Sequence, residues 1–179
     1  MLFRSDGWDE GNSPKRIKGP DVFVKVVARL AERHRMVALI PGPARGYVKR
    51  ELAAVGVPSA SHGFVPTSLM STYYHACDFY LMTGREEGRP ASLLEALSCG
   101  TPVVAHRSGM APEVIADGVN GYLADVDDID ELVKKAHRLI TQSQTRTAFA
   151  NAGLETARRY AWSSVAGLYR SLYEAVRPS

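Results

Sequence analysis

Two carboxylates, Glu87 and Glu95, stand eight residues apart in "REEGRPASLLEALSCGTPVV", residues 85–104. Gly88 and Pro90 lie between them and read as a tight turn into a helix that carries Glu95 in its second turn. Such a turn leaves backbone N–H groups at the helix start, where the dipole favours an anion. Glu87 ahead of the turn could accept hydrogen bonds from sugar hydroxyls, and Glu95 could accept both hydroxyls of a ribose. A plainer reading stays open. Glu86 and Glu87 could merely complement the helix dipole, and Glu95 shares its face with Ser92 and Ser98, which suits simple exposure. A second candidate is "SPKRIKGP", in which Lys18 and Gly19 precede a helix beginning at Pro20. A cation there could neutralise a diphosphate without a metal, although a solvated charge run would also explain Lys15, Arg16 and Lys18.

The elements that must hold these residues follow from pattern. "MLFR" reads as the end of a strand, and residues 5–20 as a long polar loop rich in Gly and Pro. Phe23, Val26, Val27 and Leu30 form one face of a helix from Pro20 to about His34. Strands and helices then alternate. Strands are expected in "MVALIP", "ASHGFV", "DFYLMT", "PVVAH" and "GYLAD". Helices are expected in "ARGYVKRELAAVG", "PTSLMSTYYHAC", "RPASLLEALSCG" and "APEVIADG". This is the pattern of a Rossmann-like, doubly wound α/β fold, a parallel sheet with helices on both faces. After Asp125 only helices remain, at 127–140, 144–160 and 162–176. The first carries Asp128 and Glu131 at capping-box spacing. The last carries Val165, Leu168, Leu172 and Val176 in one stripe.

Composition narrows the choice. The chain has 179 residues, 45% of them hydrophobic, with a net charge of +3. That suits one core of good size and gives no support for nucleic acid as a partner. No apolar run is long enough to cross a membrane and no signal-peptide pattern opens the chain, so a cytoplasmic product is expected. Cys77 and Cys99 sit in apolar contexts and are expected to be reduced and packed. No GxxxxGK[ST] is present, "PGPARG" lacks dinucleotide-fingerprint spacing, and no Gly-x-Ser-x-Gly occurs. "DVDDID" departs from a calcium loop at its sixth and twelfth positions and reads as a helix cap. The five histidines lack paired metal-ligand spacing, and no metal site is expected. Tyr73, Tyr74, Phe79 and Tyr80 read as core or groove filling.

In order and interval, "KGPDVFVKVVARL", "ALIPGP", "GFVP", "LMSTYYHACDFYLMTG" and "EEGRPASLLEALSCGTPVVAHRSGMAPEVIADGVNGYLAD" resemble the C-terminal, donor-binding domain of family 4 (group 1) glycosyltransferases, one half of the GT-B fold. Glu87 and Glu95 match that family's Glu-x7-Glu. The resemblance implies a nucleotide diphosphate sugar as donor, retention at the anomeric carbon, and no required metal or other cofactor. By the same resemblance Glu87 contacts the donor sugar, while Gly88, Arg89, Pro90 and Ala91 face sugar and diphosphate. Glu95 would hold the ribose, and Gly63, Phe64 and Val65 the base. Lys18 would neutralise the diphosphate with an arginine companion. Arg4, Lys15 and Arg16 compete for that part, with Arg4 preferred. Arg89 stands where relatives carry an apolar residue, which bears on sugar choice or phosphate contact.

The resemblance also implies an N-terminal acceptor-binding domain. The chain is therefore expected to be an excised or truncated half starting near the linker, inactive alone. Residues 1–160 would be the donor domain and 161–179 a crossover helix packing on the other half. Uncovered, that helix is a route to self-association; peripheral membrane contact would come only through the other half. Two alternatives stay open: a nucleotide-sugar epimerase of the same fold, and a non-catalytic donor-binding subunit working with a separate acceptor-binding chain.

Overall fold

The computed structural model describes residues 1–2 and 11–176. Five short strands form one parallel arrangement: β1 (Ala38–Leu39), β2 (Ser59–Ala60), β3 (Tyr80–Met82), β4 (Val103–His106) and β5 (Tyr122–Ala124). β1 pairs with β2, and β3 with β4 and then β5. Leu2 joins the two groups through parallel bridges to Leu39 and Tyr80. The spatial order is thus β2, β1, Leu2, β3, β4, β5. Counted with the Leu2 segment first in sequence, that is the doubly wound order 3-2-1-4-5-6. Of "MLFR", Leu2 lies in the sheet through those bridges, and residues 3–4 lie outside the described residues.

Side-chain alternation builds two cores, one on each face. Phe79, Leu81, Val104, Tyr122 and Ala124 pack with Phe23, Val27 and Leu30 of α1 (Pro20–Ala31), Leu52 of α2 (Gly46–Ala54) and Leu132 of α6 (Ile129–Thr141). Tyr80, Met82, Val103, Ala105 and Leu123 pack on the other face. Their partners are Tyr74 of α3 (Met70–His75), Leu93 and Leu97 of α4 (Ala91–Ser98) and Val114 of α5 (Ala111–Val114). Burying each such aliphatic side chain favours folding by about 2 kcal/mol. α7 (Ser143–Arg159) lies against α4, and its Phe149 meets Tyr122 edge-on at 4.8 Å.

Several expected boundaries move, each for a local reason. The strand expected over 60–65 stops at Ala60. Gly63 adopts φ 61°, and its carbonyl turns to accept from the Gly42 N–H at 2.7 Å, so an extended ladder cannot continue. The strand expected over 36–41 shortens to Ala38–Leu39. α2 begins at Gly46 rather than 44, because Ala44 has φ 57° and the buried Arg45 folds back onto the Pro41 carbonyl. α4 begins at Ala91, with Pro90 extended (ψ 112°) as its cap, so Arg89 and Pro90 belong to the turn. Residues 67–69 form a 3-10 turn before α3. α5 ends at Val114, where Ile115 turns extended and the Asn120 side chain bonds Ala116 N and Val114 O.

Half of the expected capping box forms: Asp128 caps the helix, while the Glu131 carboxylate turns to Lys134 and Lys135 and the Asp128 N–H donates to Asp125 O. Asp128 accepts from the Glu131 N–H at 2.9 Å. Asp128→Ala should therefore cost about 1 kcal/mol, read as a lower urea midpoint at an unchanged slope. An unchanged midpoint would contradict the cap's role. Cys77 and Cys99 are free thiols, buried and half-buried, and burial pushes both upward from the ordinary thiol range. The histidines are less scattered than their spacing suggests. His34 Nε2 and His137 Nδ1, on the α1–α6 seam, lie 2.8 Å apart, a contact between residues far apart in sequence. Among the described residues no three or more His, Cys, Asp or Glu gather where they could hold a metal. No helix among them is long and apolar enough to cross a membrane. α8 (Trp162–Ala175) buries none of its residues, and Leu168, Tyr169, Leu172 and Tyr173 are exposed.

Candidate functional site

In a doubly wound sheet the ligand crevice opens where strand order reverses, outside the carboxyl ends. Here that point is the Leu2 segment, flanked by β1 and β3. Lys18 ends the 3-10 turn Arg16–Lys18 and Glu87 lies in the loop after β3, and the fold brings them to one place. Lys18 Nζ donates to Glu87 Oε2 at 2.7 Å, with the side chains 33% and 13% exposed.

Two loops are zipped together to hold that pair. Gly19 (φ 63°) is the N-cap of α1, and a Cβ there would fall 1.8 Å from the Thr83 carbonyl oxygen, so only glycine permits the approach. Thr83 Oγ1 donates to Gly19 O at 2.8 Å. The Arg85 N–H donates to Ile17 O at 2.7 Å. Ile17 lies in the 3-10 turn Arg16–Lys18 whose last residue is the lysine. The Arg85 guanidinium completes the clamp. It makes a paired contact with Asp21 at 2.8 and 2.9 Å, reaches Asp127 at 2.8 Å and donates to Arg16 O. Its hydrogen bonds hold the Asp21 carboxyl below the usual carboxylate range, and Asp21 and Asp127 hold Arg85 more firmly protonated.

Behind the turn, Ser108 Oγ donates to Gly84 O at 2.8 Å, and His106 Nδ1 lies 3.3 Å from the same oxygen. The Asp127 N–H donates to His106 Nε2 at 3.3 Å. This places the imidazole proton on Nδ1 and leaves the fully buried ring neutral. Burial lowers its pKa below the ordinary 6.5. The unfolded chain then binds a proton that the native ring refuses. This share of stability is complete above pH 6.5 and is lost as pH falls from there through the native value. Asp21, also depressed, adds stability that disappears only in stronger acid, below its ordinary 3.8. Urea unfolding from pH 8 to pH 5 should show a falling midpoint, and His106→Gln should flatten it. A midpoint independent of pH over that range would contradict the assignment.

The remaining candidates take distinct places. A Cβ at Gly109 would fall 2.2 Å from Glu87 O, and the Met110 N–H donates to Gly88 O at 3.0 Å, so α5 sets the turn from below. Pro90 and Ala91 bring the start of α4 directly after that turn. Arg89 points outward, 75% exposed, with Nη2 3.8 Å from Glu113 Oε2. Glu95 is half-buried and accepts from the Tyr74 hydroxyl at 2.9 Å, so simple solvent exposure does not describe it. Gly63, Phe64 and Val65 follow β2 at the same carboxyl edge, with Phe64 81% exposed. Lys15 and Arg16 belong to the cap and first residue of the 3-10 turn. Arg4 lies outside the described residues. Reasoning from sequence missed Arg85, His106, Ser108 and Tyr74; only the charge of Arg85 beside Glu86 was visible, and its partners are distant in sequence.

The sequence model of the family "Glycosyl transferases group 1" matches residues 12–156. Among curated relatives, the D-inositol 3-phosphate glycosyltransferase of Thermobifida fusca (strain YX) is 31% identical over 177 residues, covering 90% of this chain and 41% of its own. Among solved structures, HepE of Anabaena in complex with UDP-glucose superposes with a TM-score of 0.82 at 22% identity, covering 98% of this chain and 48% of its own. The C-terminal domain of the group 1 protein LpcC from Francisella tularensis gives 0.75 at 21% identity, covering 88% of this chain and 83% of its own. The fold is thus the Rossmann-like domain of GT-B proteins, and the chain spans about 41% of the length of that Thermobifida relative. With the family match running through both halves of the site, the chain belongs to the group 1 glycosyl transferases.

Proposed function

We propose that this chain is the donor-binding half of a retaining glycosyltransferase that uses a nucleotide diphosphate sugar. The observation that carries this reading is the Lys18–Glu87 pair at the reversal of strand order. A cation for the diphosphate and a carboxylate for the sugar are held side by side by rigid backbone. An ammonium has three donors, so Lys18 can serve a phosphate oxygen while retaining Glu87. As the anomeric C–O bond breaks, the electron pair passes to the diphosphate, and Lys18 and the start of α4 stabilise that charge. Glu87 orients the sugar by accepting from its hydroxyls. Glu95 takes the ribose, and the exposed Phe64 gives the base an apolar surface. The turn Gly88–Ala91 lines the sugar and diphosphate, with Arg89 bearing on sugar choice. Arg4 remains the proposed companion of Lys18.

The acceptor is assigned to a second domain; its hydroxyl oxygen forms the new C–O bond as its proton passes to the leaving diphosphate. The uncovered apolar stripe of α8 fits packing on that domain. The UDP-glucose held by HepE makes UDP and UDP-glucose the first ligands to try.

Calorimetric titration of the chain with UDP, UDP-glucose, GDP, ADP and CDP, with and without EDTA, tests the reading. Saturable binding of at least one, unaffected by EDTA, is expected. Binding of none would overturn the donor site, and binding only with divalent metal would overturn the metal-free assignment.

A further inference from the structure

We propose that Tyr74 is a positioning residue that fixes the Glu95 carboxylate for ribose recognition; this rests on the proposed reading of Glu95 as the ribose acceptor. The Tyr74 ring is fully buried under α4, yet its hydroxyl donates to Glu95 Oε2 at 2.9 Å and lies 3.3 Å from Ser92 O. A buried tyrosine hydroxyl needs a partner, and here the partner is the half-buried carboxylate of Glu95 in the second turn of α4. The geometry around it is tightly fixed. Tyr80, also buried, meets Tyr74 edge-on with ring centres 6.0 Å apart and donates to Ser92 Oγ at 3.0 Å. The Thr101 hydroxyl holds the Tyr74 carbonyl at 2.9 Å, tying the end of α3 to the entrance of β4.

An unanchored glutamate on a helix surface samples several rotamers, and a ligand must order it on binding. The Tyr74 bond supplies part of that ordering in advance, taking one of the roughly four acceptor positions that a carboxylate offers. α3 also follows the segment Gly63–Val65 after a short 3-10 turn. The same short helix therefore connects the proposed base surface to the ribose carboxylate.

The test is ribose discrimination rather than affinity alone. The full chain is titrated with UDP, GDP, ADP and CDP, and then with the 2′-deoxy and 3′-deoxy forms of the tightest binder. Tyr74→Phe should narrow the preference for the ribonucleotide by about fivefold, the scale of one ordinary hydrogen bond. Binding of the deoxy forms, which each keep one ribose hydroxyl for Glu95, should fall less. On a Glu95→Gln background the same substitution should add nothing to the ratio.

A merely structural tyrosine would weaken both ligand types equally, and an unchanged ratio would overturn the proposal. Discrimination lost in Glu95→Gln but untouched by Tyr74→Phe would overturn it alone, leaving the donor site standing. Absence of any nucleotide binding by the unaltered chain would overturn the donor site and this proposal with it. Should Tyr74→Phe not fold, the Tyr74 hydroxyl proton in the unaltered chain gives the same answer. It should exchange slowly and shift on adding the ribonucleotide more than the deoxy form. A hydroxyl signal indifferent to ribose would overturn the assignment.

Discussion

Replacing Lys18 with alanine should lower kcat about a hundredfold in an enzyme that joins this domain to an acceptor-binding domain. That factor is close to 3 kcal/mol, the scale for removing one preorganised donor from a site of developing negative charge. The loss should fall on the chemical step, because the diphosphate gains charge as the glycosyl bond breaks. Stability should change less. Lys18 is 33% exposed and makes a one-point contact, but Glu87 is only 13% exposed and loses its cation, so removing the lysine should cost about 1 kcal/mol. Lys18→Arg keeps the charge but carries a planar fork where a compact ammonium sat, and should recover only part of the rate. Steady-state kinetics beside urea unfolding separates the two effects. A Lys18→Ala enzyme with full turnover would remove the lysine from the mechanism.

Arg85→Ala should show the opposite balance, with a large stability cost and an indirect effect on the site. Arg85 and Asp21 are 24% and 18% exposed and share a two-point contact. Deleting one partner leaves the other carboxylate partly buried without its cation, which should cost about 2 kcal/mol, below the loss for a fully buried pair. The Asp127 contact adds little, because Asp127 is half exposed. Loss of the guanidinium also releases the Arg16 carbonyl and loosens the turn that ends in Lys18. Nucleotide affinity should therefore fall along with the unfolding midpoint. A double-mutant cycle with Asp21→Ala should show strong coupling, since both substitutions break the same contact. An Arg85→Ala chain with an unaltered midpoint would mean that the clamp does not hold the loops together.

The elements that hold the candidate site were largely legible because their signals are local. Pro20, Phe23, Val27 and Leu30 declare α1 by spacing alone. The alternation in "DFYLMT" and "PVVAH" declares strands covered on both faces. The interval from Glu87 to Glu95 needs only a turn and two helical turns to be read.

What escaped reading depends on contacts that the chain makes far away. Arg85 looks like a surface charge until the fold brings Asp21, sixty-four positions distant, to its guanidinium. Tyr74 was expected as filling, and its ring does fill the core, but the carboxylate bonded to its hydroxyl sits on another helix. The need for glycine at 19 and 109 arises from carbonyls at 83 and 87, which no local pattern reveals. The strand expected over 60–65 failed for the same reason: Gly63 turns away to meet Gly42, its neighbour only in the folded sheet.

The most direct test of the donor site is a two-dimensional NMR titration of the chain with UDP, GDP, ADP and CDP, repeated on Glu95→Ala. Saturable shifts with at least one diphosphate are expected at Lys18, Gly63–Val65 and Gly88–Glu95, and Glu95→Ala should weaken that binding. Saturable shifts confined to other surfaces, or no shifts with any of the four, would contradict the placement of a nucleotide diphosphate at this crevice.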